Sequence, residues 1–267
     1  MGAGLSAVEQ AIFSADRLGL FLDYDGTLAE FAPNPDVVLP DPQVIECVAR
    51  LASLPAMKVT VLSGRRLDHI ERLVPLPGVW LDGSYGLENR LPDGSRLHRL
   101  PIDSIRPMVE ALKPRVQALL AGREGFYLED KGWSLAVHAR FARADEADSV
   151  LPAVRALFYS AAGDDLRILD SHRFIEIAPS LGDKGHSVEW LVEQQELEGF
   201  PLLYIGDDDK DEEAFRVINA RGGRAILVAP QERPTAAHAR LADPRQVLAW
   251  LDRLYRAFRD RSHRAAW

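Results

Sequence analysis

The sequence predicts an α/β fold, a Rossmann-like parallel sheet covered by helices on both faces, with a smaller α+β module inserted into it. Three observations carry this expectation. Short apolar runs alternate with helical stretches through the first hundred residues and again beyond residue 180, the rhythm of a parallel sheet with crossover helices. The polar residues Asp23/Asp25, Ser63 and Asp207/Asp208 all stand just past the ends of apolar runs. That is the edge where open α/β sheets bind ligands. Between Pro101 and Pro179 the texture changes to helix, strand, strand, twice over.

Each element follows from local pattern. Leu18 to Tyr24 is a buried-strand candidate ending in Asp-Gly-Thr. Pro42 to Leu54 reads as a helix, with Asp41 as N-cap and Pro42 at the first helical position. Lys58 to Leu62 is a strand leading into Ser-Gly-Arg and a charged helix through Leu73; Val79 to Asp82 is a third strand. In the middle region, Ile105 to Leu120 and Ser149 to Ala161 read as helices. Gly125 to Leu128, Trp133 to Arg140, Arg167 to Leu169 and Phe174 to Ile177 read as strands. Trp133 to Arg140 alternates apolar and polar residues, as a half-exposed antiparallel strand does. Beyond it come a strand at Leu202 to Ile205, a helix at Asp211 to Ile218, a strand at Ala225 to Val228 and a closing helix at Val247 to Phe258. The predicted domains are a core of 1–100 and 180–267 and an insert of 101–179.

Bulk composition narrows the function. The chain has 267 residues, enough for one large domain or a core plus a smaller one. A net charge of -8 opposes binding to nucleic acid or to an anionic membrane. No window supplies the long uncharged apolar stretch of a membrane span, and Asp16 and Arg17 interrupt the N-terminal segment. A cytoplasmic enzyme acting on a small molecule is expected, with a monomer favoured. The single cysteine, Cys47, excludes an internal disulfide framework and reads as a small core residue. The Arg-rich end (Arg253, Arg256, Arg259, Arg261, Arg264) reads as a solvated helix face.

Four clusters can carry chemistry. Asp23 and Asp25 lie two apart at a strand end, where like charges are unfavourable unless a cation binds or one carboxyl takes a proton. Gly26 lets the chain turn there. Ser63-Gly64-Arg65 opens a helix, and a hydroxyl with backbone N–H groups at such a junction suits phosphate oxygens. Taken alone, such a Ser-Gly is usually only a helix cap. Lys184, just before a helix, can balance a phosphate among carboxylates as a point charge. Gly206-Asp207-Asp208-Asp209 after a buried strand calls for a cation, and its spacing does not match an EF-hand.

In order, Asp23-x-Asp25-Gly-Thr, Ser63, Lys184 and Gly206-Asp207-Asp208-x-x-Asp211 resemble the four motifs of the haloacid dehalogenase-like (HAD) phosphatases. A narrower resemblance is to the trehalose-6-phosphate phosphatases. It rests on Leu22 to Leu28, Ser63 to Arg65, Gly83-Ser-Tyr-Gly86-Leu-Glu88, Glu129-Asp-Lys131 with His138-Ala-Arg140, and Gly206 to Glu212. Tyr85 stands where that pattern commonly has histidine, Ala139 where it has an aromatic, and Lys210 where it has threonine. These departures leave the general chemistry intact and bear on the sugar.

The resemblance implies a HAD core with an inserted cap that closes over the site. It implies Asp23 as a nucleophile forming an aspartyl phosphate, with Asp25 as general acid and then base. Magnesium would bind Asp23, the Asp25 backbone carbonyl and Asp207, with Asp208 or Asp211 holding its waters. Ser63 and Lys184 would hold the phosphoryl oxygens. Arg65, Glu88, Glu129, Lys131 and Arg140 would contact the substrate, trehalose 6-phosphate. Two alternatives stay open. One is another sugar phosphate, such as glucosyl- or mannosyl-glycerate phosphate or sucrose phosphate. The other is a non-catalytic regulator that binds a sugar phosphate.

Overall fold

Strand β1 (Leu18–Asp23) is buried along its whole length, because it lies in the middle of a sheet covered on both faces. The computed structural model describes residues 3–30 and 38–265, and the side chains of 4–30 and 38–261. Those residues form two compact units, one comprising the described residues up to Leu97 and from Asp183 onward, the other His98–Gly182.

The first unit is built on an eight-stranded sheet. Around β1 stand β2 (Met57–Leu62), β3 (Trp80–Gly83), β4 (Glu88–Arg90) and β5 (Arg96–His98) on one side. The helices α1 (Ala3–Phe13), α2 (Pro42–Ala52) and α3 (Leu67–Leu73) belong to the same stretch of chain. The second unit opens with α4 (Arg106–Leu120), β6 (Tyr127–Asp130) and β7 (Leu135–His138), and continues through α5 (Ala144–Ala161), β8 (Leu166–Ser171) and β9 (Phe174–Pro179). The chain then returns to the first unit with α6 (Lys184–Gln194), β10 (Leu202–Gly206), α7 (Asp211–Ala220), β11 (Arg224–Val228), β12 (Ala239–Leu241) and α8 (Pro244–Ala265).

The large sheet runs β12-β11-β10-β1-β2-β3-β4-β5. From β12 to β3 every neighbour is parallel, and β4 turns back antiparallel on β3. After β1 the chain builds outward through β2 and β3, then restarts beside β1 with β10. The connections leave that point in opposite directions, which opens a crevice at the carboxyl edge between β1 and β10. Register completes the arrangement: Asp23 pairs with Leu62, and Leu22 with Ile205. Ser63 and Asp207 therefore emerge on the same edge as Asp23.

Alternate residues of the strands feed two cores. Leu20, Leu22, Val61 and Ile205 pack with α2, α3 and α8 on one face, while Phe21, Leu62, Tyr204 and Leu227 pack with α6 and α7 on the other. This is the period-two alternation of a sheet buried on both sides. Cys47 packs against the first core, and burial pushes its thiol up to about 12. The N-terminal segment, to which the sequence assigned no element, forms α1. Glu9 accepts from Trp250 Nε1 (2.9 Å) and pairs with Arg253, and Arg261 donates to the Ala15 carbonyl (2.5 Å). Two of the arginines expected to be solvated thus tie α8 to the N-terminal segment. Arg264 lies outside the described side chains.

The second unit is a four-stranded antiparallel sheet, β6-β7-β9-β8, packed by α4 and α5. Three expectations are corrected here. Helix α5 starts at Ala144, with Asp145 and Glu146 in its first turn, five residues before the expected Ser149. Acidic residues favour a helix N-terminus, a signal the apolar periodicity overlooks. Strand β6 starts at Tyr127 rather than Gly125, since Gly125 is left-handed (φ +78°) and packs tightly on the Phe141 backbone. Strand β7 ends at His138, so Arg140 sits in an exposed turn and not on the strand face. Its end is fastened by Ala139 N–H donating to the Arg173 carbonyl (2.8 Å).

Gly83 marks a close approach of sheet to helix. A Cβ there would lie 2.6 Å from the Leu67 backbone nitrogen, and backbone cannot move aside cheaply. Gly83→Ala is expected to destabilise the first unit by about 1–3 kcal/mol, the usual cost of overpacking. Urea denaturation followed by tryptophan fluorescence measures it.

Candidate active site

The turn after β1 separates the two carboxylates that the sequence puts side by side. The Tyr24 carbonyl accepts from Leu28 and Ala29 N–H (2.9 and 3.0 Å), and Gly26 N–H donates to the Ala29 carbonyl (2.7 Å). Gly26 itself is left-handed (φ +80°). Asp23 faces Lys184, whose Nζ donates to Oδ1 (2.6 Å). Asp25 faces Arg65, which holds both its oxygens through Nε (2.7 Å) and Nη2 (2.6 Å). The repulsion expected between them is thus relieved by two separate cations.

Lys184 is the first residue of α6, directly after Asp183, which caps the helix by accepting His186 N–H (2.8 Å). Its ammonium is buried and shared between Asp23 and Asp211, at 2.6 and 2.5 Å. Asp211, the first residue of α7, is fully buried and accepts four hydrogen bonds. Lys184 and the Tyr204 hydroxyl (2.7 Å) donate to Oδ1, while the N–H groups of Asp207 (2.9 Å) and Asp208 (3.0 Å) donate to Oδ2. These use the lone pairs a carboxylate offers. Asp211 therefore acts as the scaffold of the loop. Gly206 is what admits it, since a Cβ there would lie 2.3 Å from Asp211 Cγ.

One carboxylate oxygen from each of Asp23, Asp207 and Asp211 lies within 4.8 Å of the others. One ammonium cannot neutralise three carboxylates in a buried place. Burial, reinforced by Asp211 and Asp208 against the pull of Lys184, pushes Asp23 up to about 8. Burial and the charges of Asp23, Asp211 and Asp208 push Asp207 up to about 9. Burial would lower the Lys184 ammonium, but Asp211 and Asp23 outweigh it and hold its pKa well above the usual lysine value. Asp208 behaves differently. Against burial, the charges of Lys184 and Lys210 and the N–H groups of Lys210 and Asp211 draw its carboxyl below the usual range. Its Oδ1 accepts Lys210 N–H (2.7 Å), and it stays outside the trio.

The trio fits a cation. Asp23 Oδ2 is buried and accepts no hydrogen bond, and the surplus negative charge is what an oxygen-preferring divalent ion offsets. Because the lone pairs of Asp211 are committed, Asp23 and Asp207 are the oxygens left to hold it.

Ser63 is buried beside this cluster, and its Oγ accepts Arg65 N–H (3.1 Å). Glu88 Oε2 accepts Leu67 N–H (3.1 Å) and the Ser84 hydroxyl (2.9 Å). It supplies the cap that α3 lacks, because Arg66 at its N-cap makes no side-chain bond. Tyr85 is left-handed (φ +56°) and buried, donates its N–H to the Ser63 carbonyl (3.0 Å), and carries Lys210 Nζ 5.4 Å from its ring centroid.

In the second unit, Glu129 and Lys131 are both buried. His138 Nε2 meets Glu129 Oε2 (2.9 Å), and Lys131 pairs with Glu176 (3.1 Å), which also accepts the Ser134 hydroxyl. Glu176 was not singled out from the sequence. Its signal was there, a lone acid in the apolar run Phe174–Ile177. Tyr204 and Arg233 were missed as well, since a tyrosine in a strand and an arginine in a loop carry no pattern of their own.

Comparison with known proteins adds relatives to this geometry. A family model described as trehalose-phosphatase matches residues 21–245. A trehalose-phosphate phosphatase from Mycobacterium marinum is 32% identical, over 89% of this chain and 61% of its own length. One from Mycobacterium bovis is 33% identical, over 96% and 67%. The chain thus spans about three fifths to two thirds of these relatives. Among solved structures, the C-terminal domain of the Candida albicans trehalose-6-phosphate phosphatase aligns with a TM-score of 0.82 at 23% identity, covering 94% of this chain and 96% of that one. The C-terminal domain of a Candida albicans trehalose synthase regulatory protein aligns with 0.71 at 13%, covering 91% and 96%. Both likenesses concern the fold.

The raised carboxyls make a signed prediction. Between the ordinary carboxyl range and about pH 8–9, the metal-free fold binds protons at Asp23 and Asp207 that the unfolded chain has released. Their contribution is full at low pH and is lost as pH rises through that window. A bound cation favours the deprotonated forms. Scanning calorimetry is expected to show a larger magnesium-induced rise in Tm at pH 8.5 than at pH 6. An equal rise at both would contradict it.

Proposed function

The chain belongs to the trehalose-phosphatase family, and on that premise we propose that it is a magnesium-dependent phosphatase hydrolysing trehalose 6-phosphate through an aspartyl phosphate. The observation that carries this reading is Asp23. One oxygen is held by a buried ammonium and the other is buried without a partner, at the carboxyl edge of a parallel sheet. A carboxylate so placed is a nucleophile whose direction is already set.

The chain's own residues supply the rest. Once free of Arg65, Asp25 takes a proton from solvent. An Asp23 oxygen then bonds to phosphorus as the bond from phosphorus to the sugar oxygen breaks, and Asp25 gives that oxygen the proton. Asp25 then takes a proton from water, whose oxygen bonds to phosphorus while the Asp23–phosphorus bond breaks. Inorganic phosphate leaves, Asp23 is a free carboxylate again, and Asp25 holds the water proton for the next turnover or releases it to solvent and returns to Arg65. Lys184 and the Ser63 hydroxyl hold phosphoryl oxygens. In the resting structure Arg65 grips Asp25 with two hydrogen bonds, so proton delivery requires Asp25 to leave the guanidinium. A magnesium ion held by Asp23, Asp207 and the Asp25 carbonyl, with waters on Asp208, would offset charge on the transferring phosphoryl group.

For the sugar, the candidate contacts are Glu88 and Arg65 in the first unit and, taking the second unit by itself, Glu129, Lys131 and Arg140. The Lys131–Glu176 and Glu129–His138 pairs support this for the buried members, whose polar atoms are fixed in advance. A second reading, another sugar phosphate, rests on Tyr85 and Lys210. Both depart from the family pattern, and they meet beside Ser63.

Phosphate release from a panel of sugar phosphates tests the assignment, with trehalose 6-phosphate expected to give the highest kcat/KM. A clear preference for another sugar phosphate would overturn it. EDTA is expected to abolish activity and magnesium to restore it. Asp23→Asn is expected to lose turnover with its circular dichroism unchanged, and Asp25→Asn to lower kcat by about 10²–10⁴-fold. Wild-type turnover in Asp23→Asn would exclude the covalent route.

A further inference from the structure

We propose that Arg233 is a positioning residue for the cation site, holding the Asp207 carbonyl, the opposite end of the peptide whose Asp208 N–H donates to Asp211 Oδ2 (3.0 Å), and so setting affinity for the divalent ion. The proposal rests on the reading of Asp207 as a ligand.

Asp207 follows the last residue of β10, where ladder hydrogen bonds stop and the backbone is no longer held by a neighbouring strand. Its N–H donates to Asp211 Oδ2 (2.9 Å). Its carbonyl accepts from Arg233 Nη2 (3.2 Å). The peptides before and after its Cα are therefore both restrained, and together they set the direction of the carboxylate. A ligand is only as well placed as the groups that hold it.

Arg233 can serve as an anchor because its own loop is fastened. Pro234 restricts the preceding residue to extended backbone. Thr235 Oγ1 donates to Glu212 Oε1 (2.6 Å), Ala236 N–H donates to Glu212 Oε2 (2.8 Å), and Asn219 Nδ2 donates to the Ala236 carbonyl (2.7 Å). Glu212 and Asn219 both belong to α7, the helix that begins with Asp211. One helix thus governs the peptide after Asp207 at both ends, its N–H directly through Asp211 and its carbonyl indirectly through Arg233.

A plainer role is a surface ion pair, since Arg233 Nη1 also pairs with Asp209 (2.6 Å), whose side chain is 94% exposed. Such a pair contributes little. The two roles differ in sign. As a mere charge, Arg233 repels a divalent cation, so removing it tightens binding. As a positioning group it holds a ligand in place, so removing it weakens binding.

Isothermal titration calorimetry of magnesium into the metal-free full chain, without substrate, separates them. Arg233→Met is expected to weaken magnesium binding about tenfold, within the range for loss of an outer-shell partner. Arg233→Lys keeps the charge without the two-pronged reach and is expected to weaken it as well. Both should retain the metal-free Tm, and the lysine variant carries the test if the methionine variant does not fold. Unchanged or tighter binding in the folded variants overturns the proposal. Asp207→Asn is run beside them. If it too leaves affinity unchanged, Asp207 is not a ligand and the underlying reading falls first.

Discussion

Everything at the carboxyl edge of the large sheet depends on the Lys184 ammonium shared by Asp23 and Asp211. A buried cation of this kind is stabilised only by well-made partners, and removing one leaves an uncompensated charge. The pair also spans the molecule's construction. Asp23 comes from β1, Lys184 from the start of α6 after the second unit, and Asp211 from the start of α7. Three segments far apart in sequence are held to one geometry by a single charged atom. Asp211 extends that control, because its other oxygen takes the N–H groups of Asp207 and Asp208.

The sheet makes that meeting possible. Parallel register fixes where each strand ends relative to its neighbour, and a slip of one residue would turn each chemically active side chain to the opposite face. Two tight glycine positions guard the register at the edge. Gly83 lies against the Leu67 backbone and Gly206 against the Asp211 carboxylate. The site is thus defined by close packing as much as by charge.

The fold and the chemical centre were largely legible in the sequence, and for a physical reason. A carboxylate at the end of an apolar strand conflicts with its surroundings, so Asp23 and Asp207 stand out, while Ser63 and Lys184 gain weight only from standing in order with them. Residues that resolve those conflicts do not stand out. Asp25 and Arg65 find one another across forty positions, and nothing local announces the pairing. Tyr204 reads as an ordinary strand residue until its hydroxyl is seen on Asp211. Glu88 is expected as a sugar contact from the resemblance alone, and the hydrogen bond by which its Oε2 caps α3 has no local signal in the sequence. Strand ends in the second unit shifted where glycine conformation or an acidic first helical turn overrode apolar periodicity. Arg140 is off the strand face because β7 ends two residues before it.

The grip of Arg65 on Asp25 has an energetic consequence for selectivity. Hydrogen bonds to a charged group contribute about 1.5–3 kcal/mol each, and two of them hold the carboxylate that must carry the proton. On the proposed chemistry, that cost falls on every turnover and is met from the binding energy of the parts of the substrate that do not react. A phosphate ester with a small leaving group lacks those parts. Such an ester reaches the nucleophile but releases the proton carrier poorly, so discrimination against short metabolites arises inside the catalytic pair itself, without any pocket that excludes them.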